Sequence, residues 1–409
     1  MVEKGRSPFY PGQPVPQDLF VGRSEEIRSI IEREVTQVSH GRVASVYIQG
    51  EYGIGKSSVA QYIKAIAERD YGLHGIYVTL GGAKTLEDIA MAVLQAVVLS
   101  GAWNPKHEEK IRNWLSKYIS KAKLWGVTVN TAALKEDAPD LANIYGMLNL
   151  LKETKARLES EGVKGIALIF DEINGISGNP DFAHFLKGLM DQSAAMNNPV
   201  PFLLLLCSTP ERRKQLIECH EPVGRIFRVV DIKLLSDYEM EQFFTKAFIS
   251  ANMIIHKEEA SAASFLSAGF PKLMHLLGDA IYWLVSESGV VANSDVFRGA
   301  INAAEDLGKK FIDAQVYQAL RSEDYRSMLS KVAHLSNIDT AFTRKEVLSV
   351  ATAQEKPKVD RFIKRMKELQ VIKPGKRPGE YEFIMRMTRL YLWLRHKSEA
   401  DNKTTPPKD

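Results

Sequence analysis

Gly50-Glu51-Tyr52-Gly53-Ile54-Gly55-Lys56-Ser57 is the stretch on which the reading of this chain turns. It satisfies G-x-x-x-x-G-K-[ST] in full, and its surroundings are the required ones. An apolar run over residues 43–49 precedes it as an expected strand, and residues 57–69 follow as an expected helix. Glycines let the backbone curl around a polyphosphate, so that N–H groups and the N-terminus of the next helix face the negative charge. Lys56 is expected to neutralise the β- and γ-phosphates, and the Ser57 hydroxyl to hold Mg²⁺. Gly50, Glu51, Tyr52, Gly53, Ile54, Gly55, Lys56, Ser57 and Ser58 are therefore the expected nucleotide contacts, with ATP as the expected ligand. A glycine-rich turn that carried Lys-Ser by chance would lack the strand before it and the helix after it.

Outward from the loop, the hydrophobic pattern predicts a strand over 75–80 and helices over 84–99, 105–123 and 141–159. Weak alternation predicts a small hairpin strand over 124–131. Residues 166–170 and 201–207 are near-continuous apolar runs, as central strands covered on both faces should be. A fifth strand is expected over 227–232. Strands alternating with helices up to about residue 235 predict a doubly wound α/β domain. The third strand ends in Asp171-Glu172, which it delivers to the carboxyl edge of the sheet, where open α/β sheets bind ligands. Asp171 is expected to organise Mg²⁺ through its water shell, and Glu172 to polarise the attacking water. The rival reading of the pair is that it caps the next helix.

The loop and the acidic pair together resemble the AAA+ branch of P-loop ATPases. The resemblance spans roughly residues 8–285 and is weaker over 100–140. Pro8-Phe9 through Phe20-Val21-Gly22-Arg23, with Glu25-Glu26, resembles the segment before the phosphate loop in origin-recognition-like ATPases and in STAND signalling ATPases. The resemblance implies that Val21, Gly22 and Arg23 run along the adenine. It also implies a polar γ-phosphate sensor at Ser208-Thr209, for which Thr209 is the expected side chain. Arg225, in Gly224-Arg225-Ile226-Phe227-Arg228, falls where the family places an arginine finger that acts on a neighbouring subunit. Gly269-Phe270-Pro271-Lys272 resembles the Gly-x-Pro-Arg signature of the family's helical lid. Lys272 there keeps the cation and loses the bidentate fork of arginine. Membership of this family would imply an α/β AAA+ domain with an all-α lid after it, and a homo-oligomer that hydrolyses ATP slowly and acts as a switch.

The last 80 residues predict helices over 325–335, 343–350 and 356–370, then two short strands joined by Gly375-Lys376-Arg377-Pro378-Gly379. On the third helix Val359, Phe362, Ile363, Met366 and Leu369 form an apolar stripe that must be buried, and the opposite face shows Lys358, Arg361, Lys364 and Arg365. Three helices and a basic two-stranded wing resemble a winged helix. The family places its third helix in the major groove of double-stranded DNA, so these cations, with Lys376 and Arg377 on the wing, are the expected DNA contacts. STAND relatives instead use the module as a clamp on the ATPase core or a surface for a regulatory protein, and that reading stays open. Residues 390–394 predict a closing helix, and 398–409 a polar tail without fixed structure.

The chain has 409 residues and a formal charge of +4, with borders expected near 20, 236, 321 and 398. Residues 1–19, with Pro8, Pro11, Pro14 and Pro16, read as an extended lead-in. Residues 343–397 hold 15 Lys/Arg and 6 Asp/Glu, whereas residues 1–342 sum to −4. That asymmetry favours an anionic partner for the C-terminal module. Cys207 and Cys219 make no disulfide framework and no thiolate metal site by themselves. Apolar runs are too short for a membrane helix, and the first residues lack a leader pattern. A cytoplasmic protein is the expectation.

Overall fold

The computed structural model describes residues 4–13, 19–100, 141–335 and 340–404. The helix expected over 105–123 and the hairpin strand over 124–131 lie outside them. The chain divides into two compact units, residues 22–233 and residues 1–21 with 234–409.

The first unit is an α/β sandwich. Strands β1 (Ala44–Gln49), β2 (Leu73–Thr79), β3 (Gly165–Asp171), β4 (Phe202–Ser208) and β5 (Arg228–Asp231) form one sheet in the order β2-β3-β4-β1-β5. Every pairing is parallel. β3 and β4 are buried along their whole length, which explains why they read as unbroken apolar runs. Around the sheet lie α1 (Ser24–Ile30), α2 (Thr36–Ser39), α3 (Lys56–Tyr71), α4 (Leu86–Leu99), α5 (Ile144–Leu158), α6 (Pro180–Ala195) and α7 (Pro210–Cys219). Between α1 and α2 the helix widens into a π turn, Ile31–Val35. The expected strands are found with ends displaced by one or two residues.

The register fixes the carboxyl edge. Gln49 pairs with Ser208, and Asp171 with both Thr79 and Cys207. The residues after β1, β2, β3 and β4 therefore emerge on one rim. A parallel sheet puts all of its strand ends on the same side, so a rim of this kind gathers side chains that are remote in sequence.

The second unit begins with the helical segment read above as a lid: α8 (Asp237–Ser250), α9 (Lys257–Ser267), α10 (Pro271–Leu284) and α11 (Asn293–Leu307), continued by a π-helical stretch, Gly308–Tyr317. Part of the lead-in belongs here and is not simply extended. Phe9 is 4% exposed, with ring centroids 5.1 Å from Phe248 and 5.9 Å from Phe243. The Tyr10 N–H donates to His275 Nδ1 at 3.1 Å. Gly278, inside α10, makes room for the ring, because a Cβ there would lie 2.2 Å from Phe9 Cε1.

The rest of this unit is α12 (Glu323–Ala333), β6 (Phe342–Thr343), α13 (Arg344–Val350), α14 (Val359–Glu368), β7 (Ile372–Pro374), β8 (Glu380–Phe383) and α15 (Arg386–Thr404). Two strands are expected from sequence; three are found, antiparallel in the order β6-β8-β7. α13 opens with a cap at Thr343, closed into a capping box by Glu346. Val359, Phe362, Ile363 and Met366 are buried as the stripe requires. α15 joins this module to the helical segment. The Tyr391 ring occupies the space that the missing Cβ of Gly308 leaves, its hydroxyl donates to Asp313 at 2.8 Å, and Arg395 pairs with the same carboxylate. Arg386 donates to the Phe265 carbonyl and lies 4.2 Å over the Phe265 ring. The helix also runs past residue 398, where a tail without fixed structure was expected, as far as Thr404. Among the described residues, no helix is long and apolar enough to cross a membrane.

Candidate nucleotide site

The phosphate loop hangs between the end of β1 and the start of α3. Gly50 N–H is tied to the Ser208 carbonyl of the neighbouring strand at 3.3 Å, which fixes where the loop begins. A Cβ on Gly50 would stand 2.9 Å from the Ile232 carbonyl, so only glycine fits. Gly53 and Gly55 have φ of 78° and 95°, the left-handed region in which a side chain is strained. Ile54 is buried between them and anchors the loop, whereas Glu51 and Tyr52 are exposed. Lys56 Nζ donates to the carbonyls of Gly50 and Glu51, both at 2.9 Å. Burial pushes its ammonium below the usual lysine value.

The acidic pair stands on the same rim. Asp171 is buried, and its Oδ1 accepts the Glu172 N–H at 2.9 Å. Its Oδ2 accepts from the Tyr77 hydroxyl at 2.5 Å. Glu172 takes φ 57°, a left-handed value uncommon for a residue with a side chain. Its side chain lies against Gly81, where a Cβ would come within 2.9 Å of Glu172 Oε2. Ser208 ends β4 with its hydroxyl 2.6 Å from that of Tyr47, and Thr209 caps α7 without a side-chain cap bond.

Hard oxygen donors suit Mg²⁺, and the rim supplies a hydroxyl and a carboxylate in Ser57 and Asp171. Asp171 accepts from the Tyr77 phenol, and Ser57 lies near the same phenol, so the side chains expected to flank the metal converge. The donor set fits a magnesium nucleotide.

The other expected residues are placed as follows. Arg23 is 6% exposed with φ 61°; its guanidinium donates to the Ile54 carbonyl at 2.9 Å and to that of Lys233. It therefore braces the phosphate loop from behind. Gly22 precedes it with φ 71°. Val21 and Lys272 belong to the other unit, Lys272 in the first turn of α10. Arg225 is largely exposed and pairs with Glu221 at 2.7 Å, whereas Arg228 is held by Ser29 and Glu34. Sequence reasoning missed Tyr77 and Gly81.

A parallel sheet in the order 2-3-4-1-5, with its phosphate loop after β1 and its acidic pair after β3, can be set beside known structures. The Walker-type ATPase PABY2304 of Pyrococcus abyssi superimposes with a TM-score of 0.58 at 17% identity, covering 93% of this chain and 98% of its own. The ORC2 protein of Aeropyrum pernix, in ADPNP–ADP complexes, gives a TM-score of 0.64 at 12% identity and covers 98% of both chains. The fold is that of the AAA+ P-loop ATPases. A family profile described as "BREX system ATP-binding protein BrxC/D" matches residues 15–95, the part that carries the phosphate loop. Among curated protein sequences, none matches.

The basic face expected on the C-terminal module is found on one side of α14. Arg321, Lys358, Arg361, Lys364 and Arg365 line an open cleft of about 780 Å³ together with Tyr325 and Glu368. Lys358 pairs with Asp324, and Arg365 with Glu368. Lys376 and Arg377 are exposed at the turn between β7 and β8.

Proposed function

We propose that this chain is an ATP-binding and ATP-hydrolysing switch that works as an oligomer and contacts double-stranded DNA through its C-terminal module, read as a winged helix. The observation that carries the nucleotide part is the convergence of the phosphate loop, Ser57 and Asp171 on one rim. The BrxC/D profile and the Walker-type ATPase superposition support it. Lys56 leaves its two loop carbonyls for phosphate oxygens, Glu172 orients the attacking water, and Thr209 contacts the γ-phosphate. Bound Mg²⁺ would supply charge neutralisation of the β- and γ-phosphates, held by Ser57 and through water by Asp171. Arg225 is the residue assigned to a neighbouring subunit's nucleotide, because its side chain is exposed where that of Arg228 is fixed internally.

For DNA, the support is the cationic cleft on α14 and the exposed Lys376-Arg377 turn. A second reading, a signalling ATPase restrained by its own C-terminal module, has one observation in its favour. α15 is pinned to the helical segment by Tyr391, Arg395 and Arg386. A salt titration of duplex binding, with ATP and with ADP, separates the two. Replacing Lys364, Arg365, Lys376 and Arg377 by Gln should flatten the slope of log K against log salt by about 0.9 per phosphate no longer neutralised. An unchanged slope removes the DNA reading and leaves the restrained switch.

A further inference from the structure

The Tyr77 hydroxyl is hydrogen-bonded to one of the side chains expected to serve the metal and lies near the other. Its O–H donates to Asp171 Oδ2 at 2.5 Å, and the Ser57 side chain lies near the phenol oxygen. A phenol has one proton, so giving it to Asp171 leaves the oxygen only as an acceptor on its Ser57 side. The strand explains why the ring points there. On β2 a Cβ at Gly75 would meet Lys64 and Glu68 of α3, so odd positions of the strand face that helix. Tyr77 is the next odd position toward the carboxyl rim and approaches the first turn of α3, where Ser57 stands. Asp171 is one strand away, since β2 and β3 run side by side with Thr79 opposite it.

We propose that Tyr77 is the positioning residue that presents Asp171 to the magnesium of a bound nucleotide. The inference rests on the ATP-binding reading above and goes beyond it by naming the group that sets the metal affinity. Asp171 receives a hydrogen bond on each carboxylate oxygen, from the Glu172 amide and from the phenol, so its plane is fixed before any ion arrives. Outer partners of this kind are worth roughly 10- to 100-fold in metal affinity, because without them a ligand must be ordered at the moment of binding. Lys56 is held by carbonyls of the phosphate loop itself, those of Gly50 and Glu51, so the effect of Tyr77 should be confined to the metal.

The test uses the full chain and its Tyr77→Phe variant, which keeps the ring. A fluorescent ATP analogue is titrated first in EDTA, then at fixed concentration with rising Mg²⁺. The expected result is unchanged affinity in EDTA and a magnesium midpoint raised about 10- to 100-fold. The EDTA titration also reports whether the variant has folded, because a collapsed loop would lose nucleotide with or without metal. A midpoint that does not move, one that falls, or an equal loss in both buffers overturns the inference and leaves nucleotide binding by the wild type standing. A wild type that binds no nucleotide in either buffer overturns the ATP-binding reading itself, and the inference with it.

Discussion

Phe9 and Gly278 should behave as one object cut across two parts of the chain. Phe9 is 4% exposed and packs on Phe243 and Phe248, so Phe9→Ala should cost about 4 kcal/mol, within the usual range for a buried phenylalanine. Gly278 lies inside α10, where alanine would gain about 1 kcal/mol of helix propensity. Its Cβ, however, would fall 2.2 Å from Phe9 Cε1 and 2.4 Å from Cδ1. No rotation of a buried ring absorbs an overlap of that size, and overpacking costs about 1–3 kcal/mol. Gly278→Ala alone should therefore destabilise by about 1 kcal/mol net of the propensity gain. In the Phe9→Ala background the obstruction is gone, and the same substitution should stabilise by about 1 kcal/mol. The cycle predicts a coupling of about 2 kcal/mol, read from urea denaturation of the four proteins by circular dichroism. Additive effects, with Gly278→Ala costing the same in both backgrounds, would refute the docking of residues 4–13 on this unit.

Glu172→Gln should slow phosphate release by about 10²-fold or more while nucleotide binding persists, and equal rates would remove the assigned role. Gly81→Ala should lower hydrolysis with little change in melting temperature, because the atom it meets at 2.9 Å is the free end of the Glu172 side chain; wild-type turnover would count against that geometry. Burial lowers the His275 pKa to about 4, against 6.5 for the free side chain. The folded state thus binds fewer protons than the unfolded one between those values. The stability contribution is complete above pH 6.5 and is lost as pH falls toward 4, by up to about 3 kcal/mol. His275→Gln should flatten that part of the pH–stability profile, as followed by melting temperature between pH 7.5 and 4; an unchanged slope would place the titration elsewhere.

The phosphate loop and Asp171-Glu172 could be read from sequence because their chemistry is carried by contiguous residues between elements of strong periodicity. Tyr77 could not. Between Ile76 and Val78 it looks like one more aromatic residue in a strand, and its task depends on β3 lying beside β2 and α3 across it. Both are long-range facts. The signal that could have raised it is its odd position on a strand whose Gly75 admits the α3 side chains. The side-chain contacts of Arg23 were out of reach for a different reason. The motif around it was recognisable, but the guanidinium is used on carbonyls of Ile54 and Lys233, the second 210 residues away in sequence. Phe9 stood in a proline-rich segment whose composition says extended, and only the ring-sized space over Gly278 shows where it goes. β6, Phe342–Thr343, is too short for any alternation to register.

The basic balance of residues 343–397 needs a narrower reading than its total suggests. Arg389 is 1% exposed and donates to the carbonyls of Ala333 and Thr340, so it closes the core of the module. Arg386 and Arg395 hold α15 to Phe265 and Asp313, and Arg344 pairs with Asp360. These cations would survive in a module that never met DNA, since each answers a neighbour in the same unit. Exposed pairs add little stability, so a sequence has no need to retain unmatched surface cations for folding. Among the exposed cations without a carboxylate partner there, Arg361, Lys364, Lys376 and Arg377 cluster on α14 and the β7–β8 turn, apart from Lys345 and Lys356, and form the group that faces an external anion. If substituting these weakened duplex binding while Arg386 and Arg395 variants altered only stability, the net charge would separate into a structural part and a recognition part along that line.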